Sequence, residues 1–386
     1  MYDSRMKNDM RRGLRTWILV DKKAIRHNYN VFRSLIPPKT KLMAVVKSNA
    51  YGHGLIDFAK EQEKLGADYL GVDSVAEALA LRKNSVKLPI LILGYTMKEM
   101  IKPAVEADVS LTVSNFNTLD ALEHNTFSKQ AKIHVKVDTG MHRQGFLAED
   151  LPKILSKLND KRFTLNASVE GLYTHFASAK NPAFPQDTKK QIENFKIWTD
   201  AFKKVGFKTI NHAVATAGAL LFPESHFDMV RIGIGLYGLW PAKEVEAFYD
   251  GKISLEPVLS WKTIVSEIKN IKSGSRIGYD LTETVWRDSK IAVCPVGYWH
   301  GFPRALSCIG GVLIKGKKSK VLGRVSMDMI ALDITGISNA RVEDEAVIIG
   351  RSDSEEISAE DFARLSDVSW YEAITRLNPL IKRIYI

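Results

Sequence analysis

Short apolar runs rich in β-branched residues recur eight times through the first two thirds of the chain, and this repetition constrains the fold more than any other feature. The runs span 42–46, 69–72, 89–93, 109–113, 133–137, 169–174, 209–212 and 227–232. Segments with helical spacing separate them, for example 55–65, 74–84 and 187–205. Strands that alternate with helices pair in parallel, and eight such units close into a barrel. The sequence therefore predicts an α/β fold that opens with an N-terminal (β/α)8 TIM-type barrel.

The sequence pattern changes after about Trp240, where short strand-like segments alternate with turns that contain Gly, Asp and Lys. These pieces span 259–268, 290–296, 311–314, 321–325 and 346–349, and a predicted helix near 358–366 precedes an apolar tail. Short strands of this kind indicate a mainly β C-terminal domain. We expect the barrel over 16–245 and the β domain over 246–386, with the residues before the barrel as candidates to pack with that β domain.

The composition is that of a globular protein, with 45% hydrophobic and 26% charged residues. Lys and Arg outnumber Asp and Glu by 55 to 44, but the basic residues form no long tract interleaved with aromatics. The densest pieces, 5–15 and 315–320, are typical of solvated surface segments, so we expect no nucleic-acid partner. Nucleic-acid binding through overall basic charge stays as a remote alternative.

The cysteine count and the hydropathy indicate the compartment. Cys294 and Cys308 are too few for a disulfide framework and lack the spacing of a metal or redox motif. Residues 1–15 are polar, without the apolar core of a signal peptide, and no stretch approaches the roughly 18 apolar residues of a membrane span. We therefore expect a cytoplasmic protein with no bound metal and no membrane partner.

Lys47 directly follows the first barrel run and so lies at the barrel rim where chemistry takes place. An ammonium group after four apolar residues has two explanations. Either the side chain extends to water, or it is desolvated to make a nucleophilic amine. Its position alone leaves both explanations open.

The segment 44–54 reads AVVKSNAYGHG and resembles the cofactor-lysine motif of alanine racemases. The resemblance continues from about Trp17 to near the C-terminus. It implies a pyridoxal 5'-phosphate cofactor that is joined to Lys47 as a Schiff base, with Tyr51 hydrogen-bonded to the cofactor phosphate. It also implies a homodimer in which the β domain of each subunit contributes to the active site of the other.

Two further barrel segments resemble the family. In 136–145, KVDTGMHRQG, Arg143 matches the arginine that contacts the cofactor's phenolic oxygen and the substrate carboxylate, a task suited to a guanidinium fork. Lys136 matches a supporting lysine that is carbamylated in some members, and an inward lysine paired with an acid is the equal alternative. In 172–177, LYTHFA, His175 matches the histidine that links a tyrosine of the second domain to the arginine beneath the pyridine ring.

Arg231, in 227–238, resembles the residue that donates to the pyridine nitrogen of the cofactor. An arginine cannot readily give up a proton, so this nitrogen would stay unprotonated and the cofactor would be a weak electron sink. Transamination would then be suppressed, which leaves removal and return of a proton as the expected chemistry.

The same stretch contains Gly233-x-Gly235-x-x-Gly238, but Trp240-Pro241 follows at once, so we do not expect a dinucleotide fingerprint. We expect instead that the amides of Gly233 and Ile234 approach the cofactor phosphate. In 212–217, HAVATA, Thr216 keeps the hydroxyl of the family's phosphate-binding serine, whereas Ala215 replaces a common asparagine.

The β domain carries the second half of the resemblance. Tyr279, in the segment RIGYD (276–280), matches the second catalytic base, and a tyrosine needs a charge network such as His175 and Arg231 to work at neutral pH. In GRVSMD (323–328), the Met327 amide would receive the substrate carboxylate, while Arg324 and Asp328 would shape the site.

Besides Ala215, three further positions depart from the family pattern. The loop 297–301 carries Tyr298 as a supporting residue but has Trp299 and His300 where the family usually reads Ala-Asp, which puts substrate size in doubt. Pro379 stands where some members place a phosphate-binding tyrosine.

The resemblance implies an amino-acid racemase that interconverts L-alanine and D-alanine by a two-base mechanism and supplies D-alanine for peptidoglycan. The alternatives among enzymes are a serine or broad-specificity racemase and an amino-acid decarboxylase. From another class comes a non-catalytic pyridoxal-phosphate-binding protein, which shares the barrel but normally lacks a second domain such as 259–386.

Overall fold

The computed structural model describes residues 11–386, which divide into two compact units. The barrel unit comprises 23–50 and 55–256, and the β unit comprises 11–22, 51–54 and 257–386. Part of the basic segment 5–15 lies outside the described residues. Among the helices of 11–386, none is long and apolar enough to cross a membrane.

After β1 (Thr16–Val20), which belongs to the β unit, eight parallel strands form the sheet of the barrel unit and confirm the predicted barrel. They are β2 (Lys41–Val45), β3 (Tyr69–Val72), β4 (Ile90–Ile92), β5 (Ser110–Val113), β6 (Ala131–Lys136), β7 (Ala167–Tyr173), β8 (Ile210–His212) and β9 (Met229–Ile232). Their order is β8-β7-β6-β5-β4-β3-β2-β9. The amides of Asp228 and Arg231 donate to the carbonyls of Asn211 and Val214 at 3.0 and 3.1 Å and nearly close the barrel.

Helices alternate with the barrel strands, as the sequence predicts, and the first of them precedes β2. They span Lys22–Leu35, Leu55–Leu65, Val75–Lys83, Lys98–Glu106, Phe116–His124, Leu151–Leu158, Lys161–Asn166, Gln186–Lys204, Thr216–Leu221 and Lys243–Phe248, with 3-10 turns at Ala148–Asp150, Pro223–Ser225 and Ile234–Tyr237. Side chains cap several of them: Ser74 accepts from the Glu77 amide at 3.3 Å, and Asn115 accepts from the Thr118 amide at 2.9 Å.

The β unit is built on one large, mostly antiparallel sheet. Its strands after β1 are β10 (Leu259–Ile264), β11 (Glu267–Ile271), β12 (Arg276–Ile277), β13 (Glu283–Thr284), β14 (Ser289–Cys294), β15 (Gly311–Ile314), β16 (Lys317–Leu322), β17 (Ile330–Asp333), β18 (Glu345–Ser352), β19 (Glu355–Ile357) and β20 (Lys382–Tyr385). The order is β11-β14-β17-β16-β15-β18-β10-β1-β20, with β19 on β18 and β12–β13 as a separate hairpin. The helices Ala359–Leu365 and Trp370–Thr375 and the 3-10 turns Tyr279–Leu281, Tyr298–His300 and Arg304–Leu306 complete the unit.

The structure differs from the sequence prediction at both ends of the β unit. The expected strand 259–268 is two strands, because β10 pairs with β1 and β18 whereas β11 pairs with β14. Residues 16–20, expected at the start of the barrel domain, form β1 between β10 and β20. The apolar tail, for which no element was predicted, holds a helix and β20.

Candidate active site

Lys47 begins a left-handed turn at the end of β2. Ser48, Asn49, Ala50 and Tyr51 have φ angles of 57°, 56°, 51° and 50°, a conformation that costs about 1–2 kcal/mol for each residue other than glycine. The Glu77 carboxylate holds this turn by accepting from the amides of Asn49 at 3.2 Å and Asp73 at 2.9 Å. Four consecutive strained residues beside one lysine are typical of a functional site.

The Lys47 side chain lies at the rim and is partly solvated. Its Nζ is 3.4 Å from Oδ1 of Asp73, and 38% of the side chain is exposed. Such an exposed ion pair stabilises little, so Asp73 positions the amine and does not lock it in place. The amine is accessible to a ligand.

Lys136 ends β6 and is buried. Its Nζ donates to Oε1 of Gln144 at 3.1 Å, and Nε2 of Gln144 donates to Oγ of Ser114 at 3.2 Å. Within 11–386 no carboxylate forms an ion pair with Lys136, so its partner is an amide oxygen and the alternative of an acid partner finds no support. Burial and the positive charges of Arg143 and Arg231 lower the pKa of Lys136 to about 8.

The loop that follows β6 carries Arg143. The Asp138 carboxylate accepts from the amides of Gly140 and Met141 at 2.9 Å and of Arg143 at 3.2 Å. Gly145 has a φ of +133°, and a Cβ there would lie 2.6 Å from the Asp138 nitrogen. The loop is therefore fixed at both ends, and it leaves the Arg143 side chain exposed.

Arg231 is buried in β9, and its guanidinium is surrounded by acceptors. Nη1 donates to Nδ1 of His212 at 2.7 Å, and Nη2 donates to the carbonyls of Thr174 and Ala213, both at 2.8 Å. Nη2 also donates to Nδ1 of His175 at 3.1 Å. Since all of these bonds within the described chain use Nη1 and Nη2, Nε–H is available to a ligand.

These bonds fix the protons of the histidines. Burial lowers the pKa of Arg231 to about 10, so it stays charged and can only donate at neutral pH. Burial and the Arg231 charge hold the pKa of His175 and of His212 well below the ordinary value. Both rings are therefore neutral, with the lone pair on Nδ1 toward Arg231 and the proton on Nε2.

Three of the predicted phosphate-binding residues, Thr216, Gly233 and Ile234, lie close together in the barrel unit. Oγ1 of Thr216 accepts from the amides of Gly233 at 3.2 Å and Gly235 at 3.4 Å. The Gly233 amide is thus already bonded, whereas the Ile234 amide has no hydrogen bond within 11–386. A Cβ on Gly235 would lie 2.3 Å from the Phe32 ring, so this glycine of the GxGxxG pattern is needed for packing.

Tyr279 projects from a rigid turn of the β unit, with 69% of the residue exposed. Nε of Arg324 is 2.9 Å from Oδ2 of Asp280, the residue after Tyr279. Gly278 has a φ of +75°, and a Cβ on Gly323 would lie 2.7 Å from the Ile277 carbonyl. The predicted site residue Arg324 therefore supports the turn that presents Tyr279.

Met327 lies against the loop 297–301 in the same unit. The amides of Tyr298 and Trp299 donate to the carbonyls of Ser326 at 3.1 Å and Met327 at 3.0 Å. Nδ1 of His300 accepts from the Gly297 amide at 3.2 Å and lies 4.0 Å from Oδ1 of Asp328. In the described chain the Met327 amide makes no hydrogen bond.

Tyr51 lies with the C-terminal tail in the β unit. Its ring centroid is 6.4 Å from that of Tyr371, and burial raises its pKa to about 12. Arg383 donates from Nε to the Gly52 carbonyl at 2.9 Å, and a Cβ on Gly52 would lie 2.0 Å from the Ile374 carbonyl oxygen. The ring of Tyr371 therefore lies near Tyr51. The sequence did not predict this neighbour, because Pro379 stands where some family members have a tyrosine.

The predicted site residues fall into two groups. Lys47, Lys136, Arg143, His175, Thr216, Arg231, Gly233 and Ile234 lie in the barrel unit, and Tyr51, Tyr279, Tyr298, Arg324, Met327 and Asp328 lie in the β unit. Sequence reasoning missed Glu77 and His212 as site residues. The Ser74-x-x-Glu77 pattern of a capping box was the available signal for Glu77. The meeting of Tyr279 with His175 stays a prediction.

Comparisons with known proteins agree over nearly the whole chain. Family models described as alanine racemase N-terminal and C-terminal domains match residues 20–241 and 258–385. The alanine racemase of Leptospira interrogans is 36% identical over 96% of both chains. A solved alanine racemase of Clostridium difficile has a TM-score of 0.91 at 33% identity, covering 97% of this chain and 96% of that one. The Bacillus anthracis enzyme with bound L-Ala-P has a TM-score of 0.91 at 34% identity over 96% and 95%.

Proposed function

Because the chain belongs to the alanine racemase family, we propose that it interconverts L-alanine and D-alanine with pyridoxal 5'-phosphate, using Lys47 and Tyr279 as the two bases. The observation that carries the proposal is the Arg231 guanidinium, which is buried, charged and bonded to two neutral histidines. When bound, the cofactor supplies an electron sink that makes the Cα proton of an amino acid acidic.

The residues present fit this cofactor. Nε–H of Arg231 offers a donor to a ring nitrogen, the Lys47 amine is accessible, and the Ile234 amide offers a donor to a phosphate. The Gly233 amide already donates to the Thr216 hydroxyl. Gly233 would therefore hold the Gly233–Ile234 peptide in position, and the Ile234 amide would bind the phosphate. Tyr51 would add a phenolic hydroxyl to the phosphate contacts.

Arg231 sets the chemistry by holding its proton. A guanidinium with a pKa of about 10 donates a hydrogen bond to a ring nitrogen but does not protonate it at neutral pH. With its ring nitrogen unprotonated, the bound cofactor would be a weak electron sink, so the protein's own bases would return the proton to Cα. This favours racemisation over transamination.

Lys47 and Tyr279 would remove and return the Cα proton on opposite faces. Tyr279 is exposed on its turn, which supports the proposal that it serves the barrel of a second subunit in a homodimer. Since Nδ1 of His175 accepts from Arg231, its Nε2–H, which has no hydrogen-bond partner within residues 11–386, would donate to the Tyr279 oxygen and stabilise the phenolate. The substrate carboxylate would be bound by Arg143 and by the Met327 amide, which makes no hydrogen bond within residues 11–386. Lys136, Tyr298 and Asp328 would support this site.

We further propose a cytoplasmic location, where the D-alanine formed would supply peptidoglycan synthesis. We propose a small amino acid as the substrate. Because Trp299 and His300 replace the Ala-Asp that is usual in the family, a serine or broad-specificity racemase is the alternative.

The test is a racemase assay of the purified protein with added pyridoxal 5'-phosphate. L-Alanine should become a racemic mixture, with deuterium at Cα when the solvent is D2O. A panel of L-amino acids compared by initial rate decides between alanine and broader specificity. Release of carbon dioxide would identify a decarboxylase, and cofactor binding with no exchange at Cα would identify a non-catalytic binding protein.

A further inference from the structure

His134 is a fully buried histidine beneath the site, and the barrel is built to hold it. It lies on β6 opposite Gly171 of β7. A Cβ on Gly171 would lie 2.1 Å from Nδ1 of His134. The ring therefore occupies the space that any side chain at 171 would need. His134 also shares the inward face of β6 with Lys136, two residues later.

His134 ends a chain of hydrogen bonds that begins at Arg231. Nδ1 of His134 is 2.9 Å from Nε2 of His212, and Nδ1 of His212 is 2.7 Å from Nη1 of Arg231. The direction of each bond follows from proton counting. The guanidinium can only donate, so His212 accepts at Nδ1 and carries its proton on Nε2. His212 then donates to Nδ1 of His134, whose own proton lies on Nε2, a buried atom with no hydrogen-bond partner within residues 11–386.

Neither ring can take a second proton at physiological pH. Burial and the Arg231 charge lower the pKa of His134 to about 3 and hold that of His212 well below its ordinary value. The other groups around the pair do not change this. Tyr69 meets the His134 ring edge-on at 6.1 Å, and Lys136 adds positive charge 5.5 Å from the Tyr173 ring.

The Tyr173 ring keeps His212 from turning. It stacks on His212 with centroids 4.7 Å apart and planes at 4°, and Cζ of Arg231 lies 5.2 Å from the same ring. The Tyr173 hydroxyl is itself bonded to Oγ1 of Thr112 at 2.8 Å. Stacking therefore fixes the plane of the His212 ring, and the position of its proton depends on its hydrogen-bond partners.

We propose that His134 is a positioning residue for racemisation. As the terminal acceptor it holds His212 in the Nε2–H tautomer, and His212 in turn holds Nη1 of Arg231, which would leave Nε–H to donate to the ring nitrogen of a bound cofactor. The proposal rests on the proposed role of Arg231. With His134 present, the buried N–H that lacks a partner within residues 11–386 is Nε2–H of His134, whereas without it that group would be Nε2–H of His212, whose Nδ1 is bonded to Arg231. In the opposite tautomer the N–H group of Nδ1 would face the guanidinium, and Nη1 of Arg231 would lose its acceptor.

The first test uses the unaltered protein with selectively 15N-labelled histidine, whose ring nitrogen resonances distinguish the two neutral tautomers and the cation. The spectra of His134→Asn and of a His212 variant assign two of the nine histidines. We expect His134 and His212 to stay neutral with protons on Nε2 between about pH 5 and pH 9. A His212 that is charged or protonated on Nδ1 would overturn the proposal. This result does not depend on whether the protein racemises alanine.

The second test compares three variants of the full-length enzyme. His134→Leu removes the acceptor, while His134→Asn places an amide oxygen close to the position of Nδ1. Gln62→Leu is the matched control, because Gln62 is fully buried in the barrel unit and neither amide atom has a hydrogen-bond partner within residues 11–386.

We expect His134→Leu to lower kcat/KM for alanine at least about tenfold, through kcat more than KM, and to convert more cofactor to its amine form per turnover. His134→Asn should recover to within about threefold of the unaltered enzyme, and Gln62→Leu should stay within about twofold. Equal activity of His134→Leu and the unaltered enzyme, or of His134→Asn and His134→Leu, would overturn the proposal. If His134→Leu does not fold, the 15N tautomer measurement and the activity of His134→Asn test the proposal. An unaltered enzyme that fails to racemise any amino acid contradicts the proposed function instead.

Discussion

The Glu77 carboxylate accepts the backbone N–H of Asn49 at 3.2 Å and thereby holds the left-handed turn that follows Lys47. Its second oxygen accepts from the Asp73 amide at 2.9 Å, and Asp73 in turn pairs with Lys47. One side chain at the start of the helix Val75–Lys83 thus fixes both the backbone after the lysine and the carboxylate beside it. Strain at the lysine is maintained by contacts from the neighbouring βα unit.

Glu77→Gln should therefore weaken this turn. The amide keeps one acceptor and loses the charge, so we expect the free energy of unfolding to fall by about 1–2 kcal/mol. Pyridoxal phosphate should also dissociate faster. The matched control is Glu61→Gln, which removes only a surface pair with Lys64 and should change stability by less than about 0.5 kcal/mol. Urea denaturation measures the free energy of unfolding of the two variants. Equal losses in Glu77→Gln and Glu61→Gln would count against the role of Glu77.

Gly52 and Gly274 make a matched pair for the segment beside Tyr51. Their φ angles are +85° and +86°. A Cβ on Gly52 would lie 2.0 Å from the Ile374 carbonyl oxygen, whereas no atom of residues 11–386 outside its chain neighbours would lie within 4 Å of a Cβ on Gly274. We expect Gly274→Ala to cost about 1 kcal/mol of backbone strain and Gly52→Ala about 3 kcal/mol or more. Denaturant midpoints of the two variants give the comparison. Similar losses would mean that the tail does not pack on Gly52 as described.

The buried histidines should make stability fall in mild acid. His134, His175 and His212 have pKa values lowered by burial, to about 3 for His134, whereas in the unfolded chain they protonate near 6.5. Below about pH 6.5 the unfolded state therefore binds more protons, and each histidine removes up to about 1.4 kcal/mol of stability per pH unit. Urea unfolding at pH 7.5 and pH 5.5 should show the loss, and His134→Asn should reduce it by roughly 1 kcal/mol. Equal stability at the two pH values would mean that these rings are not held neutral.

Lys136 is expected to be carbamylated. With its pKa lowered to about 8, a substantial fraction of the amine is neutral near that pH, and the neutral amine is the form that reacts with carbon dioxide. 13C NMR of protein in labelled bicarbonate should show a carbamate signal that grows between about pH 7 and pH 9. The signal should vanish in Lys136→Met. Its absence from the unaltered protein would leave the lysine bonded to Gln144 alone.

The sequence predicts most of the fold because strand alternation and helix periodicity are local signals. β3 and the helix Leu55–Leu65 lie at the predicted residues, and the other barrel strands differ only at their ends. The exceptions depend on distant partners. β1 and β20 are strands because they pair with each other and β1 pairs with β10, which no local pattern indicates.

The site is less predictable for the same reason. The left-handed turn after Lys47 contains Ser48, Asn49 and Ala50, none of which is a glycine that would signal a positive φ. His134 and His212 are 78 residues apart, and only closure of the barrel brings them within hydrogen-bond distance. A buried histidine without such a partner would have looked the same in the sequence.

Exchange of the Cα hydrogen by Tyr279→Phe in D2O, measured separately from L-alanine and D-alanine, tests most directly whether Lys47 and Tyr279 act on opposite faces. Cofactor absorbance should persist, racemisation should collapse, and only one enantiomer should still exchange, through Lys47. Lys47→Ala should lose both the bound cofactor's absorbance and racemisation. Racemisation by Tyr279→Phe at the unaltered rate, or equal exchange of both enantiomers, would contradict the two-base assignment.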